Sequence, residues 1–449
     1  MPSTRNILLI NPWIYDFTAY DFWIKPLGLL YMASILKKHT NFRLSFIDCL
    51  DRHHPLLSKA YKTKPDGRGS FPKEEVTKPQ VLSRVPRKYS RYGIPLPIFS
   101  NELDRIPQPD LVLLTCTMTY WYPGVQIVIE LIRKKFGQVP VILGGIYATL
   151  MTHHAKNSSG ADIILEGPGE KKILPLIREV LGDKSCSPYQ FEALDEIPRP
   201  AFNLLRNKST LPLLTSRGCP FRCSFCASSL LFENFEQRKS ASVFSELNNN
   251  FRLHKARNIA LYDDALLLNK EHHILPILRE IIRKKLPLVF HTPNGLHVKA
   301  INSELAVLLK KANFQTLFLS QESFDEKVIE ESCSKVSSKD LEKALANLEK
   351  AGYNRKKINV YLIMGLPEQR ISGIKESILQ VQRLGAQPRL TFFSPLPGTK
   401  DWKKIVEKGH MDRETDPLLQ NKLTFPYTWG DFSPDNFESL KNLLSLRKS

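Results

Sequence analysis

The chain has 449 residues, 42% of them apolar and 24% charged, a globular composition that excludes global disorder and collagen-like order. No apolar run approaches the ~18 residues needed to cross a bilayer, and residues 1–10 are too short for a signal-peptide core, so a soluble cytoplasmic protein is expected. The net charge of +19 suits a solvated basic surface or an acidic ligand, and no basic block is long enough to form a tail.

The first half alternates apolar strands with helical patterns. Strands are expected at residues 5–11, 43–48, 110–115, 139–143 and 161–165, with helices at 27–38 and 123–136 between them. This alternation predicts a doubly wound parallel sheet, whose ligands bind beyond the carboxyl ends of the strands. Residues 51–105 break the pattern. They are basic and rich in Pro and Gly, too long for an ordinary loop, and therefore either functional or poorly ordered. Residues 185–210 read as a linker. A second series follows, with strands at 212–216, 258–262, 288–292, 316–320, 359–364 and 388–393. Six β/α units in about 190 residues predict an incomplete barrel with its chemistry at the strand ends. The division is thus 1–184 (with the basic insertion 51–105), linker 185–210, barrel 211–400 and a helical extension 401–449.

Seven cysteines are present, and three of them, Cys219, Cys223 and Cys226, follow the first barrel strand with C-x3-C-x2-C spacing. A structural zinc site normally uses four ligands, and no fourth Cys or His lies nearby. A 4Fe-4S cluster held by three thiolates keeps one iron open to a ligand. Gly218 and Pro220 suit a tight loop on which the thiolates converge.

This triad after the first strand of a β/α barrel resembles the radical S-adenosylmethionine (SAM) superfamily. The resemblance implies that the open iron binds the amino and carboxylate groups of SAM, which is cleaved to methionine and a 5′-deoxyadenosyl radical. It also implies SAM contacts from Asp263 or Asp264 after the second barrel strand, from Glu322 and Ser320 at the end of the fourth, and from the segment around Met364 at the end of the fifth. Phe225 resembles the family's aromatic near the adenine. Asn294-Gly295 and the run from Ser394 to Thr399 look like further signatures, although turn chemistry alone explains their Pro and Gly.

The N-terminal half resembles the cobalamin domain that precedes the barrel in several radical SAM subfamilies. That likeness implies cobalamin contacts from Thr115 and Thr117 after the third strand, Gly144 and Gly145 after the fourth, and Tyr120 against a corrin face. A dinucleotide site is disfavoured, because Asn11-Pro12 replaces a glycine-rich first turn. No His lies between Asn11 and Pro26, and Asp51-Arg52-His53-His54 follows the second strand, where a solvated loop is expected. The cobalt is therefore expected to lack a protein His ligand.

The expected architecture is an α/β protein, a Rossmann-like doubly wound parallel sheet plus a partial (β/α)6 TIM-type barrel. The family's typical scheme implies methyl transfer from methylcobalamin to an unactivated carbon of a small-molecule substrate, with flavodoxin or ferredoxin as electron donor. Nucleic acid is not expected as a partner. The alternatives are radical cyclisation or rearrangement without methylation, and RNA methylthiolation, which needs a second cluster from Cys49, Cys116 and Cys186. A non-catalytic alternative is an iron-sulfur electron carrier or scaffold.

Overall fold

The computed structural model describes residues 4–182, 190–331, 336–424 and 433–445. It divides into two units, Met1–Leu211 with Asp416–Leu419, and Pro212–Thr415 with Gln420–Ser449.

The first unit is built on a five-stranded sheet of β1 (Asn6–Asn11), β2 (Arg43–Asp48), β3 (Leu111–Cys116), β4 (Val141–Gly145) and β5 (Ile163–Ile164). All neighbours pair in parallel, in the order β2-β1-β3-β4-β5. Ile7–Ile10 and Leu111–Leu114 are apolar at successive positions and buried on both faces, as strands inside a parallel sheet must be. The order reverses direction between β1 and β3, which marks the switch point where such sheets hold ligands. Helix α1 (Leu27–His39) buries nine of its residues. Helix α2 (Tyr122–Phe136) turns Val125, Val128, Ile129 and Ile132 inward, an i, i+3, i+4, i+7 stripe.

Residues 51–105 are ordered. Ile14–Asp16 pairs antiparallel with Ser90–Tyr92, which pairs in turn with Lys73–Glu75. A helix spans Leu96–Asp104. Ile14, Leu50, Phe71 and Tyr92 form a small core under this sheet. Arg52, 3% exposed, donates from Nε to Asp21 Oδ2 at 2.8 Å and from Nη1 to Thr63 Oγ1 at 2.7 Å. The expected solvated loop at Asp51–Leu56 is found in part: His53, Pro55 and Leu56 are exposed, but Arg52 is enclosed, and so is His54, whose Nε2 lies 3.3 Å from Glu102 Oε1.

In the second unit the strands β6 (Thr210–Leu213), β7 (Asn258–Leu261), β8 (Val289–His291), β9 (Phe318–Glu322), β10 (Asn359–Met364) and β11 (Gln387–Phe392) follow one another in chain order. This is the expected partial barrel. Two details differ from the sequence reading. β9 is entered through a separate stretch, Phe314–Thr316, which pairs with β8, while β9 itself pairs with β10. At the break the Thr292 hydroxyl accepts from the Phe318 amide at 3.2 Å, a side chain replacing a rung of the ladder. β6 stops at Leu213 because Asp263 captures the chain beyond it, accepting from the Thr215 amide at 3.1 Å and from the Thr215 and Ser216 hydroxyls at 2.6 Å each. Ser216–Arg217 then pairs antiparallel with Glu236–Gln237. Among the described residues no helix is long and apolar enough to cross a membrane.

Candidate active site

The barrel's site is assembled where β6, β7 and β9 end. Gly218 holds φ +77°, and a Cβ there would stand 2.5 Å from the Asn234 carbonyl, so the turn into the cysteine loop admits glycine alone without rearrangement. Inside the loop the Cys226 amide donates to the Cys223 carbonyl at 3.1 Å, and the Ser228 amide points at Cys226 Sγ at 3.5 Å. Cys219, Cys223 and Cys226 are all free thiols.

Burial pushes the Cys219 thiol up to about 11, and the charges of Asp264 and Cys226 act in the same direction. Burial also raises Cys226, which feels Asp264 and Glu322. These electrostatic couplings place Cys219, Cys226, Asp264 and Glu322 in one group, although more than a hundred positions separate its ends in the chain. Asp264 and Cys226 keep solvent-facing surface, yet stand in a concave, protein-lined site whose partial desolvation raises both pKa values. Glu322 has φ +64°, a left-handed conformation costly for a non-glycine residue. Burial lifts its carboxyl to about 7, and it makes no hydrogen bond among the described residues.

The adjacent aspartates play different parts. Asp263 is 2% exposed and saturated by Thr215 and Ser216. Asp264 accepts one bond from the Ser228 hydroxyl at 2.6 Å and faces the cysteine loop. Ser320 is half-buried beside Gly295 (φ +76°), where an added Cβ would come within 2.3 Å of its Oγ. Phe225 is half-buried in the loop itself. Met364 is fully buried, its side chain filling the core rather than lining the site. The turn that follows it is fixed by Gln369, whose Oε1 accepts from the Gly365 amide at 2.8 Å and whose Nε2 donates to the Ile363 carbonyl at 3.0 Å. Sequence reasoning passed over Ser228, Gln369 and Thr215, because single polar residues carry no spacing signal.

Three reduced cysteines on one loop suit an iron cluster, which would take them as thiolates. Among the described residues no group of three or more His, Cys, Asp or Glu converges on a single metal ion. A cubane does not require that convergence, since each thiolate takes a different iron.

In the first unit, Thr115 is nearly buried and Thr117 half-buried at the end of β3. Gly145 holds φ +95°, and a Cβ there would meet the Cys116 carbonyl at 2.7 Å and Thr115 Oγ1 at 2.8 Å, so β3 itself requires this glycine. A Cβ at Gly144 would make only ordinary contact, with the Leu165 carbonyl at 3.8 Å. Tyr120, only 2% exposed, packs edge-on to Trp121. Beside it the Thr119 hydroxyl is buried with no hydrogen-bond partner, an orphaned polar group at a strand-end loop. The orphaned Thr119 hydroxyl, in the loop after β3, suits a polar-rimmed ligand such as a corrin. Cys49 and Cys116 are buried, and desolvation drives Cys49 well above the usual thiol value and Cys116 to about 12. They sit at the ends of β2 and β3, which β1 separates, and Cys186 lies outside the described residues.

The sequence profile of the Radical SAM superfamily matches residues 213–381. This stretch is a radical SAM domain. It contains the cysteine loop, Asp264 and Glu322 together. The chain is 24% identical over 326 residues to an uncharacterised methyltransferase of Pyrococcus horikoshii, covering 66% of this chain and 70% of that protein. It is 27% identical over 292 residues to an uncharacterised methyltransferase of Synechocystis, covering 62% of this chain but only 53% of that one. The chain is similar in fold to TsrM of Kitasatospora setae, a radical SAM methyltransferase solved with cobalamin and a [4Fe-4S] cluster bound, with a TM-score of 0.66 and 17% identity, covering 90% of this chain and 78% of that one. At that identity the likeness is one of fold.

Proposed function

We propose that this chain is a cobalamin-dependent radical SAM enzyme that methylates an unactivated carbon of a small-molecule substrate. The observation that carries the reading is the three-cysteine loop facing Asp264 and Glu322 across the barrel mouth. The names of its relatives and the cobalamin bound to TsrM support the methyl-transfer part. When bound, the cluster supplies the electron that splits SAM, and cobalamin carries the methyl group.

Cys219, Cys223 and Cys226 would hold the cluster, leaving one iron for SAM. Asp264 and Glu322 are acceptors placed for the SAM ammonium, with Ser320 and Phe225 bordering the nucleoside. Asp263 and Met364 act from behind, the first by fixing Thr215 and Ser216, the second by backing the turn that Gln369 clamps. Thr115, Thr117, Gly144, Gly145 and Tyr120 would border cobalamin. Enclosure of the reacting groups away from water protects a radical from side reactions. A reducing, cytoplasmic setting and a flavodoxin or ferredoxin donor complete the proposal.

Anaerobic reconstitution with iron, sulfide, cobalamin and SAM tests it. About four irons per chain are expected, together with reductant-dependent 5′-deoxyadenosine and a product heavier by one methyl group. Radical products without the mass gain would turn the reading to cyclisation or rearrangement. Colourless preparations, or colour that survives replacement of all three cysteines by alanine, would overturn it.

A further inference from the structure

Among the described residues the cysteine loop has local bonds of its own, from the Cys226 amide to the Cys223 carbonyl and from the Ser228 amide to Cys226 Sγ, and it is also held from outside. The outside support comes from the chain after β11. Ser224, between the second and third cysteines, donates from its hydroxyl to Asp401 Oδ2 at 2.7 Å, and the Asp401 amide donates back to the Ser224 carbonyl at 3.1 Å. Ser224 is 3% and Asp401 2% exposed, so neither group has water as an alternative partner. Gly398, at φ +86°, lies against Leu230 just past the third cysteine, and a Cβ there would approach Leu230 Cδ1 to 2.9 Å. The Thr399 side chain, which caps helix Lys400–Glu407 through the Trp402 amide at 3.2 Å, fixes the turn between these two contacts.

We propose that the Gly398–Asp401 turn is a latch on the cluster loop and that Asp401 is its positioning residue. It grips the backbone and side chain of Ser224 and thereby fixes the neighbouring Cys223 thiolate. The inference rests on the cluster reading of the three cysteines and deepens it: the run of Pro and Gly ending at Thr399 has a task beyond making a turn. Groups that orient metal ligands from behind typically govern metal affinity by roughly 10- to 100-fold.

The test uses the full chain with Asp401→Ala, Asp401→Asn and Ser224→Ala. In reconstituted protein, loss of cluster absorbance to an iron chelator should quicken roughly tenfold or more in D401A. D401N should stay near wild type, because its amide oxygen still accepts the Ser224 hydroxyl. In metal-free protein, iodoacetamide should alkylate Cys223 several-fold faster in D401A than in wild type, a readout that holds even if the chain takes up no iron. If D401A does not fold, S224A, which deletes one hydroxyl, should still quicken both rates. Wild-type rates of alkylation in D401A or S224A, or a D401N variant as labile as D401A, would overturn the latch. A wild-type chain that binds no iron would instead overturn the cluster reading.

Discussion

At the barrel mouth two neighbouring aspartates separate support from contact. Asp263→Ala should destabilise the fold by about 2–4 kcal/mol in a urea titration, because it strands the buried Thr215 amide and Ser216 hydroxyl and leaves the Thr215 hydroxyl with His273 as its partner. Asp264→Ala should leave the urea midpoint close to wild type and weaken SAM binding, measured by calorimetry on reconstituted protein. The sequence shows two aspartates after a strand and cannot rank them, since ranking depends on which one the Thr215 turn captures. Glu322 gives a pH signature. Its carboxyl is raised from 4.5 to about 7 by burial, so the native state binds more protons than the unfolded state between those values. Its contribution to stability is therefore complete below about pH 4.5 and falls as pH rises through 7, by at most ~3 kcal/mol. Glu322→Gln in the metal-free protein should flatten this slope and melt higher than wild type at pH 8; an unchanged slope would refute the assignment.

Among the elements, strands read well where burial on both faces made a continuous apolar run: β10 lies at its expected limits, and β1 and β3 within a residue, while the part-buried edge strand β2 is also found at its expected limits. The misses share a cause. β6 ends early and β9 starts after a break because side chains, Asp263 and Thr292, compete with the ladder, and no periodicity encodes that competition. The insertion reads as loop because its strands are three residues each, and the central one, Ser90–Tyr92, pairs with Ile14–Asp16, far away in the chain. Its stability hinges on Arg52. Arg52→Leu should cost about 3–5 kcal/mol by leaving Asp21 buried without its cation. Limited proteolysis should then cut within residues 56–70 while the parallel sheet stays protected, and uniform resistance would show that the guanidinium is dispensable.

Across the whole molecule, cofactor content separates the rival chemistries. Iron should number about four per chain and fall to near zero when Cys219, Cys223 and Cys226 become alanine together, while Cys49→Ala and Cys116→Ala leave it unchanged; eight irons would favour a second cluster. The cob(II)alamin form should give an electron paramagnetic resonance spectrum without nitrogen splitting from protein. No His lies between Asn11 and Pro26, and the Nδ1 of His154, the ring near β4, is held by the Tyr147 hydroxyl at 2.7 Å. Splitting that disappears in His154→Ala would overturn that expectation. Both units were legible as classes from strand–helix alternation, and the cysteine triad from its spacing alone.

The first unit is not closed by its own stretch of chain. Asp416–Leu419 belongs to it, and there the Asp416 carboxylate receives the Tyr122 hydroxyl at 3.1 Å. A ribosome must therefore add 294 residues after that tyrosine before it meets its acceptor. Until then the nascent first unit is a provisional fold, and a fragment ending at Leu211 should melt earlier than the same unit within the intact protein.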